Sequence, residues 1–100
     1  MKKTIETPKK VSITALAASL APSEGANVFL SKYFENIGLN NARVSERIDV
    51  APSTIKRLLD GGNLSVEMAS KLFNAFKLKP EFLFKIEAKQ QTFLAQQLIG

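Results

Sequence analysis

The sequence predicts an all-α fold: a compact five-helix domain preceded by a flexible amino-terminal segment. Three observations predict it. From Ala26 onward the apolar residues recur at three- and four-residue spacing, the period of an amphipathic helix. Residues suited to capping or breaking helices punctuate that pattern at Gly25, Gly38, Asn40, Pro52, Gly61-Gly62, Ser65 and Pro80. No stretch shows the sustained alternation of a strand, although Val11–Ile13 can begin as one.

The domain boundary is placed between residues 25 and 26. Residues 1–10 carry Lys2, Lys3, Lys9 and Lys10 with Pro8 and no helical stripe, a composition expected to stay disordered in isolation. Val11, Ile13, Leu16, Ala17, Leu20 and Ala21 form a short apolar face that Pro22-Ser23-Glu24-Gly25 interrupts. A helix this short is marginal alone, so the segment either packs back on its own core or docks on a partner.

The first domain helix is read over Ala26–Asn36, with Val28, Phe29, Tyr33 and Phe34 on its apolar side and Gly38 ending it. Asn40 or Asn41 caps the next, which turns Val44 and Ile48 inward and ends at Asp49. Pro52 opens a helix to about Leu59; proline at a first position forfeits no internal hydrogen bond. Ile55, Leu58 and Leu59 point inward from it, leaving Ser53, Lys56, Arg57 and Asp60 outside. Ser65 caps a fourth helix whose core stripe is read as Val66, Ala69, Leu72, Phe73 and Phe76. Pro80-Glu81 starts the fifth, reaching about Leu98. Its first half supplies Phe82, Leu83 and Ile86 to the core. Phe93, Leu94, Leu98 and Ile99 form a second cluster, covered either by a second copy of the chain or by the Val11–Ala21 segment.

Composition excludes several functions. The 100 residues contain no Cys and no His, which removes disulfides, thiolate metal sites and the usual acid-base side chain near neutral pH. The carboxylates show neither paired-acid nor metal-ligand spacing, so neither enzyme activity nor a cofactor is expected. No apolar run approaches the roughly 20 residues needed to span a bilayer. VSITALAASLA, after the lysine pairs, faintly resembles a signal peptide but is short and only moderately apolar, and a cytoplasmic protein is expected. The formal charge of +5 suits attraction to phosphate as well as solubility.

The central stretch NNARVSERIDVAPSTIKRLLD therefore reads as a helix-turn-helix, whose second helix can enter the DNA major groove. Val44, Ile48, Val50, Ile55 and Leu58 supply its interlocking core, and Asp49 occupies a turn that favours positive φ. Candidate DNA-contacting residues are Asn41, Arg43, Arg47, Ala51, Pro52, Ser53, Thr54, Lys56 and Arg57. Arg57 can read guanine bidentately or pair with Asp60 or Glu46. Lys56 can read guanine or hold phosphate. Arg43 and Arg47, one turn apart, suit phosphate, with pairing of Arg43 to Glu46 as the alternative.

In these pieces, together with Leu64-Ser65, Glu67-Met68-Ala69 and Lys79-Pro80-Glu81-Phe82-Leu83, the chain resembles the HigA-type antitoxins of the Cro/phage-repressor-like (XRE) helix-turn-helix family. The resemblance covers Ala26 to about Gln91 and is clearest over Leu39–Phe76. It implies an antitoxin that neutralises a RelE- or HigB-like mRNA endonuclease, dimerises, and represses its own operon at a palindromic operator. Asp49, Ala51, Pro52 and Asn41 depart from the family's usual Gly, capping Ser, polar residue and Gln. Because residues 1–25 lie outside the resemblance, Val11, Ile13, Leu16 and Leu20 are the candidate toxin-binding residues, with clamping by the folded core as the equal alternative that the resemblance implies. Phe93, Leu94 and Leu98 are the candidate dimerisation residues.

Overall fold

The computed structural model describes residues 12–99, which form six α-helices and no strand. They are α1 (Ile13–Ala18), α2 (Ala26–Asn36), α3 (Asn41–Ile48), α4 (Pro52–Leu59), α5 (Val66–Phe76) and α6 (Pro80–Ile99). Five of them are the helices that the apolar period predicts. The additional α1 lies within the amino-terminal segment and has only six residues. Ser12 caps it, its hydroxyl accepting from the Ala15 amide at 3.2 Å. A single capped turn does not persist on its own. Packing of Ile13, Leu16, Ala17 and Leu20 against the domain's buried residues supplies what local structure lacks.

Local chemistry accounts for most of the boundaries. The Asn40 side chain accepts from the Arg43 amide at 2.9 Å, which assigns the α3 cap to Asn40 rather than Asn41. The Ser65 hydroxyl does the same for Met68 of α5 at 3.0 Å. Asp49 ends α3 in the left-handed region, with φ 59° and ψ 54°. Ala51 gives α4 no side-chain cap, and Pro52 stands at its first turn. Lys77 ends α5 at φ 62°, where a glycine is the easier choice; its ammonium lies 5.3 Å from the Phe73 ring centre.

The start of α2 is capped from a distance. Gly25, its cap residue, has no side chain to offer, and the Ala26 amide instead donates to the Glu87 carboxylate of α6 at 2.9 Å. Gln90 donates from its side chain to the Ser23 carbonyl at 2.9 Å, one turn further along α6. A Cβ at Gly25 would sit 2.7 Å from the Glu87 carboxylate oxygen and collide with the Gln90 amide, so a larger residue there would push both side-chain ends out of their present contacts. Glu87→Ala should therefore cost about 1 kcal/mol, typical of a lost helix cap. Thermal unfolding should then fall by roughly 4–8 °C for a domain of this size. Glu87→Gln keeps an acceptor oxygen and should recover most of the loss.

The core lies where α2, α3, α4, α5 and α6 converge. Phe29, Leu30, Val44, Ile55, Leu72, Leu78 and Leu83 are its largest fully buried side chains. Phe29 meets Phe82 edge-on at 5.3 Å and stacks on Tyr33 at 6.1 Å, while Phe34 and Tyr33 lie 5.4 and 6.0 Å from Phe76. Burial among these rings pushes the Tyr33 phenol pKa above its ordinary value, so it stays neutral.

Two parts of the expected core differ. On α5 the buried stripe is Met68, Ala69 and Leu72, with Ala75 and Phe76 beside it; Val66 is 79% and Phe73 38% exposed. Val66 and Phe73 are seven residues apart and share one flank, about a third of a turn from the buried line at 100° per residue. Leu78, in the Lys-Leu-Lys connection between helices, is fully buried, as is Leu30 on α2.

Helix α6, about 30 Å long at 1.5 Å per residue, changes character along its length. Leu83 and Ile86 are buried, Phe93 is half-buried, and Leu94, Leu98 and Ile99 are exposed.

Candidate nucleic-acid interface

Helices α3 and α4 meet through Val44, Ser45 and Ile48 on one side and Ile55 and Leu58 on the other, all buried. Ser45 is the buried polar residue at this crossing. Its hydroxyl donates to the Ala42 carbonyl at 2.7 Å, so a small side chain fits the close approach without an orphan group. The left-handed Asp49 turns the chain, and the Val50 amide returns to the Ser45 carbonyl at 3.0 Å. Val50 then half-buries against the core.

The far end of α4 is held equally firmly. Asn27 of α2 donates to the Leu59 carbonyl at 3.2 Å, and the Gly62 amide donates to the Arg57 carbonyl at 2.9 Å. These bonds satisfy carbonyls that a helix terminus leaves open. A Cβ on Gly62 would lie 2.8 Å from that Arg57 oxygen, a backbone atom with little room to yield. The helix that presents the outward side chains is thus fixed at both ends.

Its outward face carries Pro52, Ser53, Lys56, Arg57 and Asp60, all exposed, while Thr54 is half-buried. Lys56 pairs with Asp60 at 3.0 Å, the one ion pair among the described residues. The partner of Asp60 is therefore Lys56, one turn back, and neither Asp60 nor Glu46 engages Arg57. Arg57 lines a shallow depression with Thr54, Asn63 and Ser65, where α4 meets the start of α5. Asn63 did not stand out in the sequence, since its place depends on the Gly61-Gly62 turn folding back beside Arg57.

Asn41, Arg43 and Arg47 are exposed on α3, and Ala51 is exposed at the turn. Arg43 and Arg47 line a second concavity with Gly38, Leu39 and Glu46, with neither arginine in an ion pair among the described residues. Four cations, Arg43, Arg47, Lys56 and Arg57, thus stand exposed on the two helices of the motif. Such an array suits a polyanion whose backbone charges repeat and whose edges carry hydrogen-bond acceptors.

The other predicted residues lie elsewhere. Ile13, Leu16 and Leu20 are half-buried against the domain, and Leu20 lies beside Ile86 of α6; Val11 falls outside the described residues. Of the two alternatives open for this segment, its apolar side takes the first and rests on the chain's own body. Phe93, Leu94 and Leu98 sit on the outer half of α6. Among the described residues no group of His, Cys, Asp and Glu is placed to hold a metal ion, and no helix is long and apolar enough to cross a membrane.

Comparison with known proteins supports the same architecture. A family model described as helix-turn-helix matches residues 30–83, more than half of the chain. No curated protein sequence matches. A solved structure titled antitoxin GraA superposes with a TM-score of 0.67 at 21% identity, covering 80% of this chain and 87% of that one. At that identity the likeness shows a shared fold.

Proposed function

This chain belongs to the helix-turn-helix family, and from that premise we propose that it is a DNA-binding antitoxin that represses its own operon. The observation that carries the DNA part is the outward face of α4, rigidly held and carrying Ser53, Lys56 and Arg57. Arg57, exposed and in no ion pair among the described residues, reads a guanine edge. Arg43 and Arg47 hold phosphates, with Asn41, Ala51, Pro52 and Thr54 setting the backbone of the motif against the groove.

The antitoxin part draws on two likenesses: the HigA-like sequence pattern and the fold shared with antitoxin GraA. Under this reading the partner is a RelE- or HigB-like mRNA endonuclease, met by the segment before residue 26, with Ile13, Leu16 and Leu20 exchanging their half-buried packing for the toxin surface. A second copy meets the outer half of α6. Gln90–Ile99 carries no charged residue, so two chains of net charge +5 approach there without like charges opposed.

Co-expression with the small open reading frame beside its gene tests the toxin assignment. Growth rescue and a co-purifying complex are expected; neither rescue nor complex rejects it. A stand-alone repressor is the second reading. The packing of Ile13, Leu16 and Leu20 on the chain's own body favours it, and a gene without a toxin-like neighbour would select it.

A further inference from the structure

We propose that Asp60 sets DNA specificity by engaging Lys56, so that the Lys56–Asp60 pair favours a base edge offering an acceptor beside an amino group and penalises bare phosphate. This inference rests on the DNA-binding reading of α4 and assigns that surface a discriminating element.

The pair is badly placed for stability. Its side chains are 72% and 63% exposed, and exposed pairs at this spacing contribute little. The lysine precedes the acid, the less favourable order on a helix. Asp60 is also the C-terminal cap residue of α4, with its carboxylate at the negative end of the helix dipole. On the same outward face as Ser53 and Arg57, a carboxylate further opposes the approach of phosphate.

Those features acquire a use in a major groove. A carboxylate accepts from the amino group of cytosine or adenine, and an ammonium donates to the acceptors of guanine. Held 3.0 Å apart, Lys56 and Asp60 present donor and acceptor side by side. A guanine acceptor beside a cytosine amine satisfies both. Along phosphates the carboxylate finds no donor and keeps the ammonium engaged, so the protein brings one cation fewer to DNA of unrelated sequence.

The test compares wild type, Asp60→Asn, Lys56→Met and the double variant on the DNA upstream of the gene and on a scrambled duplex, over a salt series. Asp60→Asn should tighten scrambled-DNA binding about three- to tenfold near 0.15 M salt and steepen its log–log salt slope by roughly one. Upstream DNA should gain less or lose affinity, so the ratio between the two falls. In the Lys56→Met background most of the effect should vanish. An unchanged ratio, an equal gain on both duplexes, or a full effect without Lys56 overturns the proposal. A wild type that never distinguishes the duplexes overturns the DNA-binding reading itself and this inference with it, whereas a selective wild type with an inert Asp60→Asn overturns this inference alone.

Discussion

Replacing Phe29 with alanine is expected to destabilise the protein by about 3–5 kcal/mol, the range for emptying a buried aromatic site. The ring is fully buried between α2 and α6, in edge contact with Phe82 and stacked on Tyr33, so its removal leaves both rings without a packing partner. Domains of this kind are stable by only about 5–15 kcal/mol, so the loss takes a large share of the total. In urea the unfolding midpoint should fall by roughly 1–5 M, given a denaturant slope of about 1–3 kcal/mol per molar. Phe73→Ala is the matched control. That ring is 38% exposed beneath Lys77 and should cost well under half as much. Equal losses at the two positions would show that the α2–α6 junction is not where the core is anchored.

Arg57→Ala is expected to weaken binding to the selected DNA site by about 1–3 kcal/mol, or roughly 5- to 150-fold, the value of a bidentate base contact. Binding to unrelated DNA should change much less. The guanidinium is exposed and forms no ion pair among the described residues, so stability should move by no more than about 0.5 kcal/mol. An isotherm series on both duplexes, alongside a thermal melt, separates the possibilities. A uniform loss on both would make Arg57 a phosphate contact; a lowered melting temperature would make it structural.

The parts of the fold legible in the sequence are those settled within a few residues. Asn40 and Ser65 cap because a short polar side chain can reach the amide three positions on. Pro52 opens a helix because its φ already suits one, and Asp49 takes the left-handed turn that its side chain tolerates. The outward set on α4 follows from inward Ile55 and Leu58 by helical geometry alone.

Features settled across the chain were not legible. Nothing local says that Leu78, between two lysines, fills the core, since this depends on where α6 lands. Helical spacing fits Val66 and Phe73 to a stripe, but only the neighbours of α5 decide that the buried line runs through Met68 and Leu72 instead. Glu87 capping α2 and Asn27 closing α4 join residues 61 and 32 positions apart. The pairing of Lys56 with Asp60 lies between these cases: the four-residue spacing permits it, but so does an alternative pairing through Arg57.

The most direct test of the DNA-reading assignment is binding of the purified full chain to the DNA upstream of its gene and to a scrambled duplex, across a salt series. The outward face of α4 predicts saturable binding near 0.15 M salt that prefers the upstream site by a factor on the order of a thousand or more. Equal affinity for the two duplexes, collapsing steeply as salt rises, would mean that the four exposed cations attract phosphate without reading sequence, and would contradict the account.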